Sequence, residues 1–249
     1  MSRTPDDGPA RVLRPGDDLA ECLRNADDGA VIAVSDGEWP GPFVVRRSLT
    51  LRGSGAARCA LVGSGEGALL TVEGRGARVV LAGLTLRGGG ETRAGGGVLV
   101  ANGADLVVSA VVFADNRAAA FGGGALYLRR GRARLEDVAF DGNSGGQGGA
   151  ILVDNDAELT VVRCQFRSNQ AAHRGGAIAV CGRARVRIED SVFADNRVDV
   201  SGGGAALHIG LAAGAPHGVE FVGGSMQPGD DAVVTASGGP TGRAGEANG

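Results

Sequence analysis

Lysine is missing from this chain: all 25 basic residues are arginine. Schiff-base chemistry and a lysine general base are excluded with it. Histidine is scarce. The three present, His173, His208 and His217, share no repeat phase and no metal-ligand spacing, so no metal and no cofactor is expected. The four cysteines, Cys22, Cys59, Cys164 and Cys181, form no CxxC pair; they read as small buried hydrophobes. No apolar run approaches the ~20 residues of a membrane span, so no membrane insertion is expected. Met1 to Arg14 is polar and lacks the apolar stretch of about 7–15 residues that a signal peptide needs. The expected compartment is the cytoplasm, with leaderless export left open. A net charge of −3 leaves no electrostatic footprint for nucleic acid. Only 8 prolines and no Gly-X-Y period exclude a fibrous chain.

What the chain has in excess is glycine, 46 of 249 residues, and much of it falls in a repeat. Phe113, Phe140, Phe166, Phe193 and Phe221 stand 27, 26, 27 and 28 residues apart. Three residues after the first four comes an asparagine: Asn116, Asn143, Asn169 and Asn196. A second marker runs in parallel, with Gly-Gly-Ala-Leu at 123–126, Gly-Gly-Ala-Ile at 148–151 and 175–178, and Gly-Gly-Ala-Ala at 203–206. Gly96-Gly97-Val98 is a degenerate copy.

Each period holds three short alternating stretches separated by Gly, Asn or Asp, which read as strand, turn, strand, turn, strand. Inward pairs repeat on the first strand (Val98/Val100, Leu126/Leu128, Ile151/Val153, Ile178/Val180). The spacing predicts an all-β fold: a single-stranded right-handed parallel β-helix with three strands per coil and about seven coils. Stacked coils ~4.8 Å apart turn equal positions into ladders. Phe113, Phe140, Phe166 and Phe193 should stack in the core. The asparagines should turn inward at a tight bend, in the left-handed geometry that Asn tolerates, and bond backbone of neighbouring coils.

Residues 1–14 and 237–249 read as disordered tails and 15–236 as the β-helix. Leu19, Cys22, Leu23 and Ala26 follow helical spacing within a helix over about 17–27, with Asp18 and Glu21 as a capping box and Gly29 as its stop. This helix should cap the N-terminal end of the core. Strands follow at Ala30–Val34, Phe43–Val45 and Leu49–Leu51, with Trp39-Pro40-Gly41-Pro42 as a turn, and Val233-Val234-Thr235 reads as a last strand.

Two resemblances rest on these residues. The stretch from Pro15 to Gly53, a capping helix leading into strands that end in Leu49-Thr50-Leu51-Arg52-Gly53, resembles the opening of pectin-lyase-like right-handed β-helix proteins. The paired Gly-Gly-Ala-[Ile/Leu] and Phe-x-x-Asn motifs resemble the repeats of polymorphic outer membrane proteins. The second resemblance implies a β-helix with a protein-binding tendency. The first implies that an enzyme of this fold would carry acids, or a basic residue, on one exposed strand face: a Ca²⁺-binding acid cluster with an Arg or Lys base in lyases, clustered Asp in hydrolases.

The sequence offers no such cluster. Asp154-Asn155-Asp156 occupies one corner, but the equivalent corners are Arg129-Arg130-Gly131 and Cys181-Gly182-Arg183. Asp115 and Asp195 share a phase with Gly142 and Ser168 between them, so coil spacing sets them ~14 Å apart. Paired-acid hydrolysis needs at most ~9.5 Å. Asp137, Arg163 and Asp190 share another phase and read as an exposed charge ladder. The outward first-strand row, Leu99, Tyr127, Leu152, Ala179 and, with a one-residue slip, His208, is less polar than a solvated sheet face. It is either a contact surface or a face covered by a long loop. As a contact surface, Leu99, Tyr127, Leu152 and His208 would meet the ligand, and Arg129, Arg130 and Asp154 would form a polar rim. The expected function is a non-enzymatic β-helix that recognises a protein partner or a glycan on a strand face. A carbohydrate-active lyase, epimerase or hydrolase and a structural component of a larger assembly are the alternatives.

Overall fold

The computed structural model describes residues 11–90, 95–119, 121–199, 204–211, 218–226, 232–236 and 242–243. The chain winds as a parallel β-helix. Two of its sheets are nine strands deep and a third is eight. In one coil the first strand is Leu126–Arg129, the second Arg132–Glu136 and the third Ala139–Asp141. Each pairs in parallel, in register, with its counterpart in the next coil, for example Leu126 with Ile151, Ala133 with Leu159 and Phe140 with Phe166. The strands are short because a turn residue interrupts the alternation every few positions.

Inside, the columns are continuous. Phe113, Phe140, Phe166 and Phe193 stack with ring centroids 5.0, 4.7 and 4.8 Å apart and planes within 5° of parallel. Phe221 does not join them. It lies on a second strand, opposite Ile188, at 42% exposure, and Met226 sits above Phe193 instead. The next column is amide. Asn143 Nδ2 donates to Phe113 O and to Asn169 Oδ1, both at 3.0 Å, while Asn143 Oδ1 accepts from Asn116 N and Nδ2 at 3.1 and 3.0 Å. Asn169 repeats the set against Phe140 O and Asn196 Oδ1. The left-handed residue at this bend is the one before each asparagine: Asp115, Gly142, Ser168 and Asp195 have φ of 51°, 62°, 52° and 58°. The asparagine itself is free to point inward because its neighbour takes the strain.

A fourth, smaller sheet follows the asparagines, with strands Ser144–Gln147, Gln170–Arg174 and Arg197–Val198. Small residues hid these strands from pattern reading, since Ser-Gly-Gly-Gln has no apolar alternation. Their backbone presses directly on the second glycine of each Gly-Gly pair. A Cβ on Gly149 would stand 2.0 Å from Gly176 O and 2.6 Å from Gln170 N; on Gly176 it would stand 2.2 Å from Ala205 O and 2.5 Å from Arg197 O. The two motifs are therefore one device, in which the strand after the asparagine packs backbone to backbone on the glycine corner. In the last copy, Ile178 pairs with Leu207, so Gly175 is matched by Gly204 and the motif reads Gly204-Ala205-Ala206-Leu207, one residue later than its spelling suggests.

At the N-terminus a helix spans Leu19–Asn25, its Asp18 cap accepting from Glu21 N at 2.8 Å, with Leu19, Cys22 and Leu23 buried. Arg11–Leu13, expected in a tail, is a strand paired with Ile32–Val34. Gly37–Pro40 is a strand too, with Trp39 buried, so the expected turn narrows to Gly41-Pro42. At the other end Ala232–Ala236 forms the last parallel strand and Gly242–Arg243 runs antiparallel to it. Residues 237–241 and 244–249 of the expected tail lie outside the described residues.

Candidate functional site

The outward first-strand row begins half-open and then closes. Val44, Thr71, Leu99 and Tyr127 are half-buried, but Leu152 is only 3% exposed, Ala179 is sealed and His208 is 2% exposed. Register places His208 beside Ala179, so the row itself is real. The chain just before each first strand runs close against it along the whole row, before the half-open positions as well as the closed ones. A Cβ on Gly148 would meet Ile151 O at 2.0 Å, and one on Gly175 would meet Ile178 O at 2.1 Å. Leu152 and His208 cannot meet a ligand, and an open row through all four residues does not exist.

The exposed remainder is a ledge at the strand ends. Tyr127 Oη donates to Asp154 Oδ2 at 3.4 Å, and Asp154 Oδ1 accepts from Asn155 N at 2.8 Å. Arg129, opposite Asp154 in register, and Arg130 are exposed beside them. Cys181 follows in the next coil and its thiol donates to Gln147 Oε1 at 3.5 Å. Burial, then the Asp154 carboxylate, pushes that thiol up to about 11. It is a protonated thiol at neutral pH, and the thiolate is the nucleophile. Burial and Asp154 also raise the Tyr127 phenol. The ledge thus offers the Asp154 carboxylate, with Asp156 two residues on held by Arg183 at 3.1 Å, and a thiol that burial keeps protonated.

Several further aspartates sit where the backbone turns into the left-handed region. Among the described residues, eleven non-glycine residues have positive φ and five of them are aspartates: Asp115, Asp137, Asp156, Asp190 and Asp195. Short polar side chains bond locally and tolerate this conformation, so these residues mark corners. Among the described residues, no three His, Cys, Asp or Glu side chains gather as a metal site. His173 is exposed and distant in phase from His208; His217 lies outside the described residues.

The second-strand face is a network of ion pairs. Arg132 reaches Glu158 at 3.3 Å, Arg185 reaches the same carboxylate at 3.7 Å, and Arg187 holds Glu189 and Glu220. Arg163 grips Asp137 through Nε at 2.9 Å and Nη2 at 3.0 Å and also holds Glu136. Hydrogen bonds from the Arg163 guanidinium hold both carboxyls below their usual range. A depressed folded pKa stabilises above the ordinary carboxylate range and the gain is lost as pH falls through the folded value. Arg163→Ala should therefore lower the melting temperature modestly at neutral pH, and its melt should converge on wild type as pH falls below the ordinary carboxylate range. A deficit that persists unchanged in acid would assign the loss to packing instead.

With this geometry established, comparison with known proteins places the architecture. The sequence profile described as "right handed beta helix region" matches residues 58–225. The chain belongs to the right-handed β-helix family. Among solved structures, this β-helix resembles a pectin methylesterase in complex with a hexasaccharide, with a TM-score of 0.53 and 14% identity over 80% of this chain and 75% of that one. A point mutant of pectin methylesterase with another hexasaccharide gives a TM-score of 0.52 and 13% identity over 77% and 65%. At such identities the likeness is one of fold. Metabotropic glutamate receptor-like protein R of Dictyostelium discoideum is 29% identical over 102 residues. That match takes in 41% of this β-helix and 6% of the relative. No helix among the described residues is long and apolar enough to cross a membrane.

Proposed function

We propose that this β-helix is a non-catalytic glycan-binding protein, with Leu99, Tyr127, Arg129, Arg130 and Asp154 forming a contact ledge on the first-strand face. The observation that carries the reading is the placement of the carboxylates. Asp115, Asp137, Asp156, Asp190 and Asp195, spread over three repeat phases, are left-handed corner residues, and Glu136, Glu158, Glu189 and Glu220 on the second-strand face are bound to arginine. Asp156, the acid nearest Asp154 in the chain, is bound to Arg183. The ledge instead combines a half-buried aromatic ring, a hydroxyl and two exposed guanidinium groups on a rigid parallel sheet. Tyr joins apolar area to a polar tip, and a preorganised surface loses little entropy on binding. The two pectin methylesterases of this fold are each described in complex with a hexasaccharide, which supports a glycan as the partner class.

Calorimetric titration of the full chain with a partly methyl-esterified galacturonate hexasaccharide tests the reading. Saturable binding is expected, with about a tenfold loss, or ~1.4 kcal/mol, in folded Tyr127→Ala. Absence of binding, or undiminished affinity in folded Tyr127→Ala and Arg129→Ala variants, would count against it.

A further inference from the structure

The fourth sheet carries a cleft of about 330 Å³, lined by Ala118, Ala119, Ser144, Gly145, Gly146, Gln170, Ala172 and Asp199. It lies on the face of strands Ser144–Gln147 and Gln170–Arg174, away from the Tyr127 ledge, and its volume falls in the range of small-ligand sites. We infer that this cleft is a separate binding site for a neutral saccharide unit. The inference takes its ligand class from the glycan-binding reading but its location from independent observations.

The first of these is the polar pair inside it. Gln170 Nε2 donates to Asp199 Oδ1 at 2.7 Å. That contact fixes both planes and leaves Gln170 Oε1, one Gln170 N–H and Asp199 Oδ2 for a ligand. Two adjacent ring hydroxyls can satisfy this set, giving hydrogens to the two oxygens and accepting one from the amide. The second is the floor. Gly145, Gly146 and Ala172 project almost nothing, so the C–H face of a pyranose can lie against backbone. Register slips between Gly145 and Gln147, and a bulge of this kind bends its strand, which hollows the surface.

The third observation is Phe121. It is 64% exposed, while the other large exposed hydrophobics are Val12 and residues of the final coils: Phe221, Val222 and Met226. Its turn closes through Gly122 N to Ala119 O at 3.1 Å and abuts the cleft strand through Gln147 N to Gly122 O at 3.3 Å. An exposed aromatic residue thus neighbours the cleft strand in the chain without lining the cleft itself. Among the residues lining the cleft, Asp199 alone is charged. Arg117 and Arg197 pair with Ser144 and Gln170 in the neighbouring coils, but neither lines the cleft. A carboxylate facing the ligand favours a hydroxyl donor over an acidic sugar.

The test is an NMR titration of the full chain with a fully methyl-esterified trigalacturonide, and with its de-esterified form. Amide shifts are expected at Gly145, Gly146 and Ala172. Affinity at the cleft should fall at least tenfold in Gln170→Ala and Asp199→Ala, whose exposed side chains can be removed without disturbing the core. Tyr127→Ala should leave the cleft shifts unchanged. The acidic form should bind there more weakly. Shifts confined to Tyr127 and Asp154 would overturn this inference while leaving the glycan-binding reading in place, whereas shifts nowhere would overturn both. Equal or tighter cleft binding of the acidic form would overturn the assignment to a neutral sugar.

Discussion

Gly149→Ala is expected to unfold this β-helix well below the wild-type melting temperature. The new methyl would sit 2.0 Å from Gly176 O and 2.6 Å from Gln170 N, both backbone atoms locked in parallel ladders. No side chain can swing aside, so two coils must separate. Overpacking of this kind costs ~3 kcal/mol or more, and ~3 kcal/mol lowers the melting temperature of a chain of this size by roughly ten degrees. Gly65→Ala is the control. Gly65 has φ of +82° and nothing within 4 Å of its would-be Cβ. It should lose only the ~1–2 kcal/mol of left-handed strain. Thermal and urea melts of the two variants separate the accounts. Equal losses would mean that glycine is needed for its freedom, and that the close approach of coils is incidental.

Asn143→Ala is expected to cost ~2–5 kcal/mol, because the change strands several buried partners at ~1–3 kcal/mol each. Asn116 N–H and Phe113 O lose their partners, and the amides of Asn116 and Asn169 lose a neighbour. Asn143→Asp should be worse at neutral pH. It keeps an acceptor for Asn116 but cannot donate to Phe113 O, and it buries a charge. Each coil contacts mainly its neighbours, so the loss should fall on coils flanking residue 143. Hydrogen exchange should show it as lost protection at Asn116 and Gln170, whose amide protons go to Asn143 Oδ1 and Asn143 O. A melt and an exchange pattern indistinguishable from wild type would remove the amide column from the account of stability.

The interior of this fold was legible because a solenoid repeats its physics. Phe113 to Phe193 and Asn116 to Asn196 recur at one spacing because each stacks on its own copy in the next coil. Phe221 shows where that logic ends. Its 28-residue step continues the series, but the final coil is longer, and the residue that stacks on Phe193 is Met226, 33 positions on. Spacing alone cannot see an insertion. The Gly-Gly-Ala-Ala at 203–206 misleads in the same way, since Gly204 and Ala205 occupy the two glycine positions.

The surface was much less legible. Tyr127, Leu152 and His208 alternate outward as the pattern says, but the last two are buried, and Gly148 and Gly175 run close against the strand backbone of this row. Glycine announces such an overlay only as a freedom of the backbone. The cleft strands were missed because Gly145, Gly146, Ala171 and Ala172 carry no periodic signal, while Gln170 and Asp199 are 29 residues apart and meet only through coil stacking.

The absence of catalysis is the claim on which the account stands or falls, and proton NMR of a galacturonate oligosaccharide tests it directly. A partly methyl-esterified hexasaccharide incubated with stoichiometric protein, with and without Ca²⁺, reports released methanol, new reducing ends and unsaturated products in one spectrum. The account predicts a spectrum unchanged in covalent structure, with ligand lines broadened by binding. Turnover that disappears in Asp154→Ala or Asp156→Ala would contradict it.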